Sequence, residues 1–376
     1  MKSIGNRIVG LCAVIASSFA GFSRNDSELA YCVLQRYQMR AEYRRNATMA
    51  GELAVGVDFG GTKLLAAVVD VSTGEILGSS KKKTNPDDDA KALMERIYSG
   101  IDDALDAAGA KKKPPIKGIG VGIAGQIDTA RGILLGAPNL SQATVDLPIA
   151  KMLEDRYKVH AALLNDVQVA ALGEGAFGAG KGCDDFFCIF VGTGVGGAIV
   201  HGGQLHSGAT GTAGEVGHLI IHANGRHCGC GGRGHLEAYA SRTAITKTIL
   251  GELKRGRKSL LTKLEPSLAD SDGDGSALRS GLLAKAMKEN DPLVTETLTE
   301  AGTDLGLGIA SVINLLNPAR IIMGGGVVEA VDYLFEVASQ RAIRESLPTP
   351  AKSTEIVRAK LGDNAGIVGA AIHGAG

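Results

Sequence analysis

Two stretches of the chain share one layout: an apolar strand, a glycine-threonine turn and a second strand. They are Leu53–Asp70, LAVGVDFGGTKLLAAVVD, and Phe186–His201, FFCIFVGTGVGGAIVH. Glycine at such a reversal lets backbone N–H groups converge on an anion with no side chain in the way. One such turn is only a turn, but two that face each other form a phosphate clamp, which points to a two-lobed nucleotide-binding enzyme. A carboxylate able to accept a proton stands at Asp166, beyond the apolar strand Val159–Leu164 and beside Asn165. An acid is costly in a core and well placed in a cleft. Its alternative role is to cap the helix that follows.

Two other readings of the glycines fail on context. Gly56 to Lys63 approaches the P-loop pattern, but Thr62 precedes Lys63 where that pattern has Lys before Ser or Thr, and no helix follows. Gly192, Gly194 and Gly197 fit G-x-G-x-x-G, as do Gly120, Gly122 and Gly125. Each run leads into strand or turn residues rather than the helix that a dinucleotide fingerprint requires.

The elements that must position these residues follow from the rest of the chain. With 376 residues, 44% of them hydrophobic and 21% charged, it is long enough for two domains with sizeable cores. Forty basic and 40 acidic residues cancel, so no global field recruits nucleic acid or an anionic membrane. The runs Lys81–Lys83 and Lys111–Lys113 read as solvated loops. Six cysteines, two of them spaced C-x-C, are no disulfide framework at this size and fit a reducing, cytoplasmic compartment. Near the N-terminus, Lys2 and Arg7 precede the apolar run Ile8–Ala20, the layout of a signal peptide and short for a membrane span. Met49 directly precedes the first strand, so residues 1–48 are expected to be an extension outside the fold, with no stable membrane association.

A three-strand meander opens the domain: Ala54–Asp58, Lys63–Val69 and Ile76–Lys82. Leu93, Ile97, Ile101 and Leu105 recur every four residues and predict a helix over Ala90–Ala108, stopped by Gly109. A strand at Ile116–Ile123, a turn at Gly125–Asp128 and a helix over Val167–Gly173 follow. After the second hairpin come a segment rich in Gly, His and Cys between Gly202 and Gly234, then helices over Leu282–Asn290 and Val294–Leu316. The strand Arg320–Met323 ends in Gly324–Gly326, and a small-residue helix over Ala365–His373 closes the chain. Asp270–Gly275 resembles the start of a calcium loop, but its twelfth position is Gly281 rather than Glu, so a solvated turn is expected.

Three segments, DFGGTK at Asp58–Lys63, EVGH at Glu215–His218 and CGCGGRGHLE at Cys228–Glu237, together resemble the ROK (repressor, ORF, kinase) family of sugar kinases, and within it the members that act on glucose. The likeness runs from about Leu53 to the C-terminus. It implies an α/β, actin-like ATPase (ribonuclease H-like) fold whose two lobes, residues 49–164 plus 364–376 and residues 165–363, hold ATP and a sugar between them. It also implies ATP-dependent phosphorylation of D-glucose. A sugar hydroxyl is a poor nucleophile, so this transfer needs a carboxylate to take its proton, with Mg2+ and backbone amides on the phosphates. Asp166 is the expected base. By resemblance, Asp58 orients Mg2+, while Gly60, Gly61, Thr62, Lys63, Gly192, Thr193, Gly194, Gly196 and Gly197 bind phosphates. Gly324, Gly325 and Gly326 admit the adenosine. Asn139, Asn165, Asp166, Glu215, His218 and Glu237 match the family's sugar-contacting positions, and a homo-oligomer, a dimer, is expected from the family alone.

The chain departs from the commonest family pattern of one His and three Cys, because His235 stands where the third Cys is expected. Imidazole is also a zinc ligand, so His218, Cys228, Cys230 and His235 are expected to complete a closed structural Zn2+ site. His222 and His227 are rival ligands, and a metal-free loop is the alternative. A sugar-responsive repressor would need a helix-turn-helix ahead of Asp58, which residues 1–48 do not supply convincingly. A chaperone or filament ATPase would not need the Cys/His segment. A kinase for fructose, mannose, N-acetylmannosamine or N-acetylglucosamine, or one fed by polyphosphate, stays open.

Overall fold

The computed structural model describes residues 52–61, 63–85, 87–109, 115–137, 140–269 and 278–376. Thr62, Asn139, the Lys111–Lys113 run, the Asp270–Gly275 run and the N-terminal extension lie outside the described residues. The first half of the chain forms β1 (Leu53–Phe59), β2 (Lys63–Asp70), β3 (Glu75–Lys83), α1 (Ala90–Ala107), β4 (Ile116–Ile123), β5 (Gln126–Asp128), β6 (Ile133–Gly136), α2 (Ile149–Tyr157), β7 (His160–Asn165) and α3 (Asp166–Phe177). The second forms β8 (Phe186–Val191), β9 (Val195–His201), β10 (Gln204–Leu205), α4 (Glu237–Ala240), α5 (Arg242–Lys254), α6 (Leu261–Leu264), α7 (Ser280–Lys288) and α8 (Pro292–Leu316). It continues through β11 (Arg320–Gly324), α9 (Gly326–Ala330), α10 (Asp332–Glu345), α11 (Pro348–Ser353), β12 (Glu355–Arg358) and α12 (Asn364–Ala375).

The repeat visible at the two turns extends to whole sheets. In the first, β1, β2 and β3 form an antiparallel meander, and β4 and β7 add in parallel beyond β1, giving the order β3-β2-β1-β4-β7. The second has the order β10-β9-β8-β11-β12 with the same strand senses. Both glycine-threonine turns therefore occupy the same place, the reversal between the central strand and its antiparallel neighbour.

Each sheet buries both faces. On one face of the first, α1 packs Leu93, Ile97, Ile101 and Leu105 against Val57, Leu64 and Ile119, and Asp89 caps the helix by accepting from the Ala92 N–H at 2.7 Å. On the other face α12 lies almost backbone to backbone on β1 and β4. A Cβ at Gly56, Gly118 or Gly120 would overlap the carbonyl oxygen of Ile367, Gly374 or Ala370. These glycines are there for close approach. In the second sheet, Ile321 and Met323 join a core with Leu298, Leu305 and Ile309 of α8 and Leu334 and Ala338 of α10. The opposite face receives α3, whose Ala171 packs with Phe186, Cys188 and Ala198. Because Val169 of α3 also packs with Leu164 and Ala370, this helix joins the two halves. Its Glu174 is fully buried, and the carboxylate accepts N–H bonds from Ala179 (2.6 Å), Lys360 (2.9 Å) and Leu361 (2.7 Å). Such partners offset the cost of burying a charge. They pin α3 to the segment that leads into α12.

Three local expectations need correction. The run Lys81–Lys83, read as a solvated loop, is the end of β3, where it pairs with Leu65, Leu64 and Lys63. The turn at Gly125–Asp128 is instead the hairpin β5–β6, because Ile127 and Asp128 pair with Leu134 and Ile133. The helix after Asn165 starts at Asp166 and runs to Phe177 rather than stopping at Gly173, since a Cβ at Gly173 would overlap the Ala365 carbonyl of α12. Packing explains that glycine; helix termination does not. The closing helix packs on the first sheet, as the resemblance implied. No helix among the described residues is long and apolar enough to cross a membrane.

Candidate active site

Asp58 lies in β1 just before the first turn, which the Gly60 N–H closes onto the Lys63 carbonyl at 2.9 Å. The start of α12 overlies the Asp58 carboxyl: a Cβ at Gly366 would sit 2.8 Å from its Oδ2. Lys63 reaches Asp363, immediately before α12, at 2.6 Å. Burial, reinforced by the negative charge of Asp166, pushes the Asp58 carboxyl up to about 7, although Lys63 opposes the rise. The two carboxylates therefore sense each other across the first sheet.

Asn165 and Asp166 divide the work at the β7–α3 junction. Asn165 is the N-cap, its Oδ1 accepting from the Val167 N–H at 2.9 Å, while Asp166 is the first helical residue and its Oδ1 receives the same N–H at 3.0 Å. Burial raises the Asp166 carboxyl most. The N–H groups of Val167 and of Asp166 itself pull it back, and the charge of Glu215 lifts it again.

Asn165 and Glu215 line a pocket with Gly125, Ile127, Gly197 and residues 211–213. A residue not singled out from the sequence, Gln168, joins them: it is buried, and its Nε2 donates to the Gly211 carbonyl at 2.9 Å. The available signal was one amide in the otherwise apolar stretch VQVAAL of α3.

The second turn is bound from two sides. Gly192 N–H donates to the Gly194 carbonyl at 2.9 Å, and Arg242 N–H donates to the Gly192 carbonyl at 2.9 Å. Arg242 also donates to the Thr193 hydroxyl at 2.9 Å, which adds a cation that was not foreseen. From the other side, Glu237 Oε2 accepts from the Val195 N–H at 3.0 Å, and a Cβ at Gly194 would overlap that oxygen. Gly196 and Gly197 lie within β9, where added Cβ atoms would meet Val167 and the Gly214 carbonyl. Their smallness thus serves packing. Gly324 ends β11 under Phe190, Gly325 has φ 91° and presses on the Val191 backbone, and Gly326 opens α9. At Gly325 an L-side chain would be strained as well as crowded.

The Cys/His segment folds into one cluster. The ligand atoms of His218, Cys228, Cys230 and His235 all lie within 4.8 Å of one another, including Cys230 Sγ to His235 Nδ1 at 3.2 Å and Cys228 Sγ to His218 Nδ1 at 3.9 Å. Two thiols and two imidazoles at this spacing suit a tetrahedral ion with nitrogen and sulfur ligands. Of the rivals, His222 turns away to Asp304 at 2.9 Å, and His227 is absent from the cluster. His218 has two faces: Nδ1 points to the cluster, and Nε2 lies 3.8 Å from Glu215 at the pocket.

Comparison with known proteins agrees with this architecture. Residues 54–373 match the model of the ROK family. A glucokinase of Halalkalibacterium halodurans is 34% identical over 322 residues, spanning 85% of this chain and 94% of the relative. Among solved structures, a ROK family glucokinase from Streptomyces griseus in complex with glucose and AMPPNP superposes with a TM-score of 0.72 at 32% identity, covering 86% of this chain and 99% of that one. A ROK family transcriptional regulator, a homologue of the E. coli MLC protein, gives a TM-score of 0.74 at 26% identity, covering 86% and 77%. The doubled sheets and the cleft between two lobes are those of the actin-like ATPase fold. Within that class, the chain belongs to the ROK family.

Proposed function

We propose that the chain transfers the γ-phosphoryl group of ATP to the 6-hydroxyl of D-glucose, with Asp166 as general base. The observation that carries the reading is the position of Asp166: one residue beyond Asn165 of the pocket and electrostatically coupled to Asp58 beside the first turn. The sugar binds at Asn165, Glu215, His218 and Glu237, with Asn139 as a further partner. Asp166 takes the hydroxyl proton as the sugar oxygen attacks phosphorus and the bond to the leaving ADP breaks. Because burial weakens its acidity, its carboxylate accepts that proton more readily than a solvated one. The two glycine turns hold the phosphates, the glycines at 324–326 admit the adenosine, and the boundaries of the lobes are residues 164/165 and 363/364.

Asp58 is the residue suited to hold Mg2+, which would neutralise charge on the phosphates and lower the Asp58 pKa. His218, Cys228, Cys230 and His235 fit Zn2+ in a structural role. Were His218 to hold Zn2+ through the Nδ1 that faces the cluster, its Nε2 would carry the ring proton and serve as a donor on the Glu215 side. A cytoplasmic dimer completes the reading.

The regulator structure favours a second reading, a sugar-responsive repressor. A coupled ADP-release assay over glucose, mannose, fructose, N-acetylmannosamine and N-acetylglucosamine separates the two. Turnover greatest with glucose is expected. No ADP from any hexose removes the kinase reading, and preference for another sugar reassigns the substrate.

A further inference from the structure

We infer that Glu237 is a positioning residue for the second glycine turn, so that the Cys/His segment acts on the nucleotide side of the site as well as on the sugar side. This rests on the kinase reading, in which that turn holds phosphate. Three observations converge on the Glu237 carboxylate. Its Oε2 accepts from the Val195 N–H at 3.0 Å, directly after the turn. Gly194, inside the turn, has no room for a Cβ because that oxygen fills the space. Its Oε1 lies 3.7 Å from Cys228 Sγ, which places the carboxylate beside the cluster.

A carboxylate that only read a sugar would not need to fill the space behind a phosphate-binding turn. Here it takes the Val195 N–H, and Arg242 holds the turn from the opposite side at Gly192 and Thr193. The turn is therefore suspended between α5 and Glu237, the first residue of α4, only two positions after the cluster residue His235. Charge-assisted bonds of this kind are among the stronger ones in proteins. Losing this one frees an N–H and lets the turn relax away from the geometry that phosphate needs.

The test is the dissociation constant of AMPPNP with Mg2+ in the absence of sugar, alongside the KM for glucose. Glu237→Ala should weaken AMPPNP binding by about 10-fold, the scale of one lost hydrogen bond to a charged group. Glu237→Gln keeps an acceptor oxygen and should restore most of that affinity. Gly194→Ala should cost less in the Glu237→Ala background than alone, because the carboxylate it would strike is gone. Unchanged AMPPNP affinity in Glu237→Ala, with only the glucose KM raised, overturns the proposal, as does strict additivity of the two substitutions. Wild-type protein that fails to bind AMPPNP at all overturns the nucleotide reading itself, and this inference with it.

Discussion

Replacing Asp58 by Asn should stabilise the protein at neutral and alkaline pH while impairing turnover. The carboxyl rises from an ordinary 3.8 to about 7, chiefly through burial and next through the charge of Asp166. The folded state thus binds the Asp58 proton more tightly than the unfolded state does. Its contribution to stability is whole below about pH 4, falls as pH rises from 3.8 to 7, and stays at its minimum above that. At about 1.4 kcal/mol per pH unit, the full loss is about 4 kcal/mol. Asp58 is only partly buried, so solvent relaxation reduces the gain expected on substitution to about 1–4 kcal/mol. Urea denaturation of wild type and Asp58→Asn, without nucleotide, should give matching stabilities at pH 4 and a more stable variant at pH 8. A difference that does not grow with pH, or a variant less stable than wild type at pH 8, would refute the reasoning.

Asp166→Asn keeps the shape and removes the proton acceptor, so kcat should fall by about 10²–10⁴-fold with glucose still bound, as read by steady-state kinetics and calorimetry. Metal analysis should find about one zinc per chain in wild type, and His235→Ala should lose it and raise the glucose KM. Retention of zinc would transfer the fourth ligand elsewhere. Gly120→Ala should destabilise by about 3 kcal/mol, the upper end for overpacking, since its Cβ meets the Ala370 carbonyl rather than a side chain that can move. The urea midpoint would show this at unchanged slope.

Much of the site was legible because its chemistry is local. Asp58 to Lys63 and Gly192 to Gly197 are contiguous, and a strand-turn-strand pattern needs no distant partner to be recognised. The Cys228–Glu237 run likewise announced the two thiols and one imidazole that gather with His218 into the cluster. What stayed hidden depends on residues far apart in sequence. Gln168 looks like any helical amide until Gly211 is seen to receive its N–H. Arg242 acquires a role only when α5 meets Thr193. The many glycines read alike on paper, yet Gly120 serves helix packing, Gly194 makes room for a carboxylate and Gly325 adopts a left-handed φ. The hairpin β5–β6 escaped notice because a three-residue strand beside glycine carries no period to detect.

The glycine seam under α12 has a bearing on how the protein is made. The strands β1, β4 and β7 leave the ribosome early, but the helix that covers their second face is synthesised about 200 residues later, a wait of about 10–40 s at ordinary elongation rates of about 5–20 residues per second. During that interval Ala54, Ala67 and Val69, all buried in the finished molecule, have no cover from Ile367, Val368 and Ala371. The second sheet, encoded between β7 and α12, can mature first. N-terminal strands emerge before C-terminal ones, yet the later half is complete earlier, and nascent chains stalled short of α12 would offer an open sheet face to chaperones.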